Sequence, residues 1–504
     1  MKGSRTLLAL ALMLTTRCSD PGPRKFIAVD APIVSVTHIR VIDGTGASSR
    51  ADQTVVIRGG RIESVGNAAD VQAPAGARVI DGRGRTLMPG LVGMHEHLFY
   101  QPGDRAYPAQ AAFARLYLAS GVTTIRTAGT VDFAGDLRLK AQIDAGDLPG
   151  PEVHVTGPYL HSQSGPADPQ RIGNEVRAQA ARGATSFKAY MSLRTSELRA
   201  AIEAAHAAGL TVAGHVCAVG FREAAELGID SLEHGLFTDS EFVEGKQVDE
   251  CPEQREVLEQ VAGVDILTDP RVHQLIADLV RHGVALTSTL AISETFTGDL
   301  SALDPRTPIM LAPRLRPQYE TARAEWADRR NAWMRTWSAV LGREMRFERM
   351  FVAAGGRLMS GADPTGWGGI LAGFGDQRNL ELLVEAGFTP EMAIRISSAN
   401  GAAFLRKGDE IGQIAAGYQA DMVVVHGDPS KNISDVRQVE LVFKKGVGYD
   451  PAALIAATEG TVGRYDVRQM FRWPFNVLLI AVFSALVLRV AMRYRRQRRQ
   501  FTAR

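Results

Sequence analysis

Short apolar runs bounded by glycine or proline alternate with longer amphipathic stretches through the middle of the chain. The short runs have the length of buried strands, and the stretches between them are rich in the helix-favouring residues Ala, Leu, Glu and Arg. Eight strand-then-helix units in a segment of this size predict an α/β fold, a (β/α)₈ TIM barrel over residues 90–406. The predicted strands are Leu91–His95, Thr123–Thr127, Glu152–Thr156, Ser186–Ala189, Thr211–His215, Ser231–His234, Ala285–Thr289 and Leu358–Gly361.

The segments on either side of this barrel show short alternating strands with frequent turn signals. Within residues 31–89, the stretches Thr54–Ile57 and Arg61–Val65 flank Gly59-Gly60 and predict a β-hairpin. The same pattern returns over residues 407–450. Neither segment is long enough to bury a core alone, so we expect both to pair into one composite β-sandwich domain, with the barrel inserted between them.

The longest stretch between two predicted strands, Leu290 to Arg357, includes three tryptophans. Trp326, Trp333 and Trp337 fall on a predicted long helix. Such a stretch could form a lid, but aromatic residues at helical spacing are more often packed against the core. We favour packing.

The first 20 residues are typical of a secretory signal peptide. Lys2 and Arg5 precede the apolar run Leu7–Leu14. A cleavage site of small residues is missing, and Arg17 stands before Cys18, where a lipoprotein signal has a small residue. We therefore expect export, with a short buried helix as the alternative and lipidation of Cys18 less favoured.

An uncharged run from Trp473 to Leu488 predicts a transmembrane helix over residues 473–492. The run has 16 residues, and the roughly 20 that a bilayer core needs are reached by including Arg489 to Met492. The basic tail 493–504 follows, and the positive-inside rule predicts that it is cytoplasmic. The expected localisation is the inner cell membrane, single-pass, with an extracytoplasmic catalytic domain. The alternative is an apolar helix packed on that domain.

Composition narrows the class of protein further. The 57 Lys and Arg residues nearly balance the 55 Asp and Glu residues, and a net charge of +2 gives no case for a nucleic-acid partner. An oligomer is compatible with this composition. Three cysteines, Cys18, Cys217 and Cys251, are too few for a disulfide framework or a cysteine-only metal site.

The first predicted barrel strand ends in a metal-ligand pattern. Because side chains alternate along a strand, His95 and His97 share one face and Glu96 points away. Two imidazoles side by side can bind one metal ion, but two solvated histidines explain this short motif equally well.

The case for a metal site becomes stronger when the polar residues of the other predicted strands are considered. Functional residues of such a barrel lie at the C-terminal ends of its strands. Lysine lies within the fourth strand, histidines end the fifth and sixth, and an aspartate follows the eighth. Each single residue has an ordinary structural explanation, whereas the set together predicts a metal centre: His95, His97, Lys188, His215, His234 and Asp363.

These motifs resemble those of the amidohydrolase superfamily. The stretches are "MPGLVGMHEHL", "LASGVTTIRTAG", "GATSFKAY", "GLTVAGHV", "IDSLEHG", "GRLMSGADP" and the closing "IGQIAAGYQADMVVVHGDP". The resemblance covers residues 33–450 and is nearest to imidazolonepropionase-like and Xaa-Pro dipeptidase-like members with a carboxylated lysine.

The resemblance implies a binuclear centre. His95, His97 and Asp363 would hold one divalent ion, and His215 and His234 a second. Lys188, as a carbamate formed with CO₂, would bridge them. Zinc is the expected metal, although the same ligands also accept cobalt, iron or manganese.

The implied reaction is hydrolysis of a carbon–nitrogen amide bond in a small-molecule substrate that is dipeptide-like, N-acyl or cyclic. A metal lowers the pKa of its water to about 7, which supplies a bridging hydroxide to attack the carbonyl. Asp363 would take the hydroxide proton and pass it to the departing amine, so we assign it the catalytic role.

The substrate pocket is less clearly defined. Thr127 stands where relatives commonly have an acidic residue, and "YLHSQSGPAD" stands where many have a Gly-Gly-His segment. Arg126, Tyr159, His161 and Tyr190 are pocket candidates by position, with ordinary packing as the alternative for each. Two other functions stay open: hydrolysis of an ester, lactone or phosphoester at the same site, or a membrane-anchored binding protein without catalysis.

Overall fold

The computed structural model describes residues 22–103, 105–328 and 330–464, together with Ser484 and Arg489. The chain divides into two compact units, Met1–Gly463 and Arg464–Arg504. All of the elements that follow belong to the first unit. The predicted signal peptide, residues 1–20, lies outside the described residues.

The described strands form a flanking sheet, a barrel and a separate antiparallel pair, β8 with β9. Strands β1 to β6 are Ile27–Val29, Ile33–Val41, Arg50–Arg58, Arg61–Asn67, Arg78–Asp81 and Arg85–Pro89. Strands β7 to β12 are Leu91–Glu96, Phe99–Tyr100, Tyr107–Pro108, Val122–Thr127, Glu152–His154 and Ser186–Ala189. Strands β13 to β19 are Thr211–Gly214, Ser231–Glu233, Ala285–Ser288, Leu358–Ser360, Met422–His426, Val439–Lys444 and Val447–Tyr449.

The described α-helices lie mostly between the barrel strands. They are Gln110–Ala119, Phe133–Asp144, Pro169–Ala181, Thr195–Ala207, Phe221–Glu226, Gln254–Gly263, Pro270–Arg281, Leu290–Glu294, Thr307–Met310, Arg316–Trp326, Ala332–Ala353, Phe374–Glu385, Pro390–Ile396, Ala399–Phe404 and Pro451–Ala456.

Strands from both ends of the first unit form one sheet. Its order is β1-β19-β18-β17-β6-β2-β3-β4, and β5 pairs with β2. The two ends meet where β17 pairs antiparallel with β6, from Met422 opposite Pro89 to His426 opposite Arg85. Apolar residues on alternate positions bury a separate core that includes Val34, Val36, Met422 and Phe443. The domain boundaries at residues 89 and 406 stay a prediction.

The central segment folds as a closed barrel of eight parallel strands. Two parallel sheets, β11-β10-β7 and β12-β13-β14-β15-β16, supply the strands. A bridge between Thr156 and Ser186 joins them on one side. On the other side the Asp363 amide donates to the His95 carbonyl at 3.0 Å, which brings the end of β16 against the end of β7.

The long insertion before β16 packs on the barrel. Trp337 is buried, and Trp326 and Trp333 are partly buried against the same core. The Phe296 ring lies 5.1 Å from Trp326 and 4.8 Å from Trp337, measured between centroids. These contacts fit the packing interpretation of the three tryptophans.

The prediction of a C-terminal transmembrane helix is corrected. Among the residues that the structure describes, no helix combines the length and the apolar character needed to cross a membrane. Residues 473–492 themselves lie outside the described residues, except for Ser484 and Arg489. The predicted membrane contact and the inner-membrane localisation depended on this helix, and both are withdrawn with it.

Candidate metal centre

The barrel gathers the predicted ligands at one end. His95 is the penultimate residue of β7, and His97 is the first residue after that strand. Lys188 lies within β12. His215 and His234 come directly after β13 and β14, and Asp363 lies three residues after the end of β16. Because all eight strands are parallel, these positions meet at the C-terminal mouth of the barrel.

Three of these side chains form a compact cluster. Ligand atoms of His95, His97 and Asp363 all lie within 4.8 Å of one another. His97 Nε2 is 3.2 Å from Asp363 Oδ1, and His95 Nε2 is 3.8 Å from the same oxygen. An ion bound between them would be coordinated by two imidazoles and a carboxylate. This set of ligands suits zinc and related divalent metals.

The other two histidines continue the cluster towards the opposite wall. The His234 ring lies 4.4 Å from the His95 ring and 4.6 Å from the His215 ring, centroid to centroid. His234 Nδ1 is 3.7 Å from Asp363 Oδ2 and 2.8 Å from Thr289 Oγ1. The two oxygens of Asp363 thus face different histidines.

Burial keeps these imidazoles neutral. Desolvation, followed by the charge of Lys188, lowers the pKa of His95 to about 4 and that of His215 to about 3. Burial and the neighbouring His95 hold the pKa of His234 well below its usual range. A neutral imidazole keeps a lone pair for a metal, so the pKa shifts favour metal binding.

Lys188 lies among these ligands without a partner of its own. It is 1% exposed, and Nζ has no hydrogen-bond partner among the described residues. Burial lowers the pKa of the Lys188 amine to about 8, although Glu233 and Asp363 act in the opposite direction. Burying a polar atom without a partner costs free energy. A bound metal ion nearby would give the Lys188 nitrogen, or a group formed on it, an interaction partner. The residues present therefore fit a divalent metal centre.

Two of the predicted ligands have unusual backbone conformations. The φ angle is +71° at His234 and +46° at Asp363, a region that residues with side chains seldom adopt. Asp363 is held there by hydrogen bonds from Thr365, whose amide reaches the Asp363 carbonyl and whose hydroxyl reaches Oδ1 at 2.8 Å. Such strain is common at functional sites.

The buried residues that contact the predicted ligands from behind were not predicted from the sequence. Glu233 Oε2 accepts from His95 Nδ1 at 2.6 Å, and Thr289 Oγ1 contacts His234. Glu96 points away from the histidine pair, as its position on the strand predicted, and its carboxyl group binds the Tyr117 hydroxyl and the Ala362 amide. The available signal for Glu233 was a charged residue within the predicted strand Ser231–His234.

Three of the four predicted pocket residues lie together beside His215. The Tyr190 ring is 4.9 Å from His215, 5.2 Å from Tyr159 and 5.1 Å from His161, centroid to centroid. Tyr159 and Tyr190 are half-buried, and His161 is exposed. Gly129 has a φ of +102°, and a side chain there would come within 2.5 Å of the Tyr159 ring. These rings form an aromatic rim on the open side of the centre.

Arg126, the fourth pocket candidate, takes a different position. It is 1% exposed, and its guanidinium donates to the Met94 carbonyl, Ser231 Oγ and Glu233 Oε1. These bonds place it beneath the predicted ligands, apart from the three rings, and its part in a substrate pocket stays a prediction. Thr127 Oγ1 accepts a hydrogen bond from the Thr156 amide at 2.8 Å and so links β10 to the strand segment beside it.

A disulfide joins two loops at the mouth. Cys217 and Cys251 are bonded, with Cα atoms 5.0 Å apart. Cys217 follows His215 by two residues, and its carbonyl accepts from Ser240 Oγ at 2.5 Å. Three cysteines do not make a disulfide framework, but two of them connect the loop after β13 to the loop after β14.

The chain belongs to the amidohydrolase family. The family model matches residues 86–297 and 349–448, which together are more than half of the 504-residue chain. The resemblance inferred from the motifs is confirmed, and the family is one of hydrolases that act on carbon–nitrogen bonds. Members of the family generally bind divalent metals, and His95, His97 and Asp363 offer a candidate site.

Curated relatives match over short stretches. Dihydroorotase of Anaeromyxobacter dehalogenans (strain 2CP-C) is 41% identical over 86 residues, 17% of this chain and 19% of that protein. Imidazolonepropionase of Idiomarina loihiensis is 42% identical over 74 residues, 15% of this chain and 18% of that protein. The chain therefore matches about a fifth of the length of these relatives.

Solved structures match over most of the chain. A Xaa-Pro dipeptidase with methionine bound in its active site has a TM-score of 0.63 at 20% identity, and the match covers 83% of this chain and 100% of that one. Bottromycin amidohydrolase has a TM-score of 0.64 at 18% identity and covers 88% of this chain and 95% of its own. These likenesses establish the fold.

The disulfide yields the first prediction. Replacing both Cys217 and Cys251 by alanine should lower the free energy of unfolding by about 2–4 kcal/mol, because the bond closes a loop with a sequence separation of 34. Urea unfolding measures this, with Cys18→Ala as the control. Thiol titration of the denatured, unreduced protein should find no more than one free thiol. Three free thiols, with unchanged stability of the double variant, would rule the bond out.

Proposed function

We propose that this protein is an amide-bond hydrolase with two divalent metal ions, most favourably zinc, at the barrel mouth. His95, His97 and Asp363 would hold one ion, and His215 and His234 the other, with Lys188 between them as a carbamate. When bound, such ions lower the pKa of water to about 7 and polarise a carbonyl oxygen. The single observation that carries the proposal is the convergence of three imidazoles, those of His95, His97 and His234, on the two oxygens of Asp363.

Asp363 is placed to move the proton. Burial opposes its ionisation, but the surrounding histidines hold the pKa of its carboxyl group well below the usual range, so it is a carboxylate at neutral pH. A carboxylate can accept a proton from the attacking water and return it to the departing nitrogen, which must be protonated to leave. Its 7% exposure leaves it in contact with the mouth while it remains largely shielded from bulk water.

The aromatic rim would orient the substrate. Burial raises the pKa of Tyr190, and burial together with Asp363 raises that of Tyr159 well above its usual range, so both phenols stay neutral. Neutral phenols offer a flat apolar face and a hydrogen-bond donor. We propose a small amide substrate, either dipeptide-like, N-acyl or cyclic. The names of the similar proteins, among them a dipeptidase and an amidohydrolase, support an amide over an ester.

Lys188 supports the carbamate proposal on physical grounds. An ammonium group beside two cations would be repelled, whereas a carbamate on Lys188 would supply oxygen ligands that share one negative charge. The lowered pKa of the Lys188 amine, about 8, favours the neutral form that reacts with CO₂. Burial of its stem in β12 between Phe187 and Ala189 keeps the nitrogen inside the barrel.

Metal content is the direct test of the function. The purified protein should hold about two divalent ions per chain, and chelation should abolish hydrolysis of the active members of a library of dipeptides and N-acyl amino acids. His215→Ala or His234→Ala should remove most of the activity and one ion, measured by elemental analysis. A matched control is His206→Ala, which changes an exposed histidine that pairs with Asp230. Full activity in either ligand variant would refute the second site.

The carbamate has its own test. Lys188→Ala should lose the bridge and the activity, and acetate or propionate should restore part of both by filling the gap with two anionic oxygens. Lys188→Arg should stay inactive, because a guanidinium stays charged and does not form the carbamate. Activity assays with and without the added acids measure this. Wild-type rates from Lys188→Arg would contradict the proposal.

A further inference from the structure

One carboxylate beneath the metal centre has no part in the proposed reaction, although it is completely buried. Glu233 lies in β14, directly before His234, and has no exposed surface. Its Oε2 is 2.6 Å from His95 Nδ1, and its Oε1 is 2.7 Å from Arg126 Nη2. Ser231 Oγ lies 3.1 Å from Oε1. Glu233 therefore joins a proposed metal ligand to a buried cation.

Arg126 fixes the position and the charge of this carboxylate. Its Nε and Nη2 lie 2.9 Å and 2.6 Å from the Met94 carbonyl, which anchors the guanidinium to β7. A guanidinium is charged at every pH of interest and only donates hydrogen bonds. Paired with it in a buried site, Glu233 is a carboxylate, and both of its oxygens accept.

The acceptor character of Glu233 determines the tautomer of His95. Since Oε2 can only accept, the hydrogen in the 2.6 Å contact belongs to His95 Nδ1. The other ring nitrogen, Nε2, then keeps its lone pair. Nε2 is the atom that faces Asp363 Oδ1, within the cluster shared with His97.

We propose that Glu233, held by Arg126, is a positioning residue that sets the tautomer of His95 so that Nε2 is its metal-binding atom. This inference rests on the proposed function insofar as His95 is a metal ligand. A carboxylate behind a ligating histidine also fixes the direction of the ring, and its loss typically weakens metal binding about 10–100-fold. Glu233 touches neither substrate nor metal and acts through His95.

Glu233→Gln should reverse the tautomer. The amide that replaces the carboxylate has one acceptor oxygen and one donor group. Arg126 offers only donors, so the oxygen should face Arg126 and the amide NH₂ should face His95. His95 Nδ1 would then accept, which moves the hydrogen to Nε2 and blocks the lone pair that a metal needs.

The experiment uses the full-length, metal-free protein with selectively ¹⁵N-labelled histidine. Ring nitrogen shifts report which nitrogen carries hydrogen, and the His95 signal is the one absent from His95→Gln. The wild-type protein should show His95 protonated on Nδ1, and Glu233→Gln should show it protonated on Nε2. Zn²⁺ titration against a competing chelator should show one ion bound about 10–100-fold more weakly in Glu233→Gln.

Glu348→Gln is the matched control, because Glu348 is also a buried glutamate but lies on the helix Ala332–Ala353. It should keep the wild-type His95 signal and Zn²⁺ affinity. A wild-type His95 with hydrogen on Nε2 overturns the proposal even if Glu233→Gln does not fold. An unchanged tautomer and affinity in Glu233→Gln also overturn it. If the wild-type protein binds no Zn²⁺, the proposed function fails, while the tautomer measurement still decides the role of Glu233.

Discussion

The close approach of the last barrel strand to the first is the constraint on which the candidate site depends. A Cβ atom at position 361 would lie 2.4 Å from the backbone nitrogen of His95. Only glycine therefore allows the chain after β16 to lie against β7. The Asp363 amide then donates to the His95 carbonyl at 3.0 Å. Closure of the barrel at this point brings the aspartate to the two histidines of the first strand. His95 and His97, near the start of the barrel segment, and Asp363, near its end, thereby form one candidate set of metal ligands.

Charge neutrality inside the barrel is the second constraint. The mouth buries the imidazoles of His95, His97 and His234, the Lys188 amine and the Asp363 carboxylate. Beneath them lies the Arg126–Glu233 ion pair. An ion pair whose partners are both satisfied can be kept in a buried site, whereas a lone charge cannot. In this pair, the negative charge of Glu233 balances the positive charge of Arg126. It leaves the lone pairs of the histidines and the unpartnered Lys188 nitrogen as the groups available to a metal.

The residues of the candidate metal centre could be selected from the sequence because each lies in a local pattern. A strand end, a glycine or proline boundary and a polar residue at the expected position were enough to select His95, His97, His215, His234 and Asp363 as neighbours in a barrel. The support beneath them was not predictable in the same way. Glu233 meets Arg126 across 107 residues and His95 across 138, so no short pattern reveals these contacts. The burial of Arg126 beneath the predicted ligands was not predictable either. The position of a residue along a strand does not show whether its side chain lines the mouth of the barrel or lies below it. The Cys217–Cys251 bond likewise depends on the tertiary arrangement of two loops.

The central claim is that these side chains form one two-metal centre bridged by Lys188. A crystal structure of the zinc-loaded protein, with anomalous difference maps collected on both sides of the zinc absorption edge, tests it most directly. The account predicts two zinc peaks, one among His95, His97 and Asp363 and one beside His215 and His234, with carbamate density on Lys188 Nζ between them. A single peak, or two fully occupied peaks beside an unmodified Lys188, would contradict it.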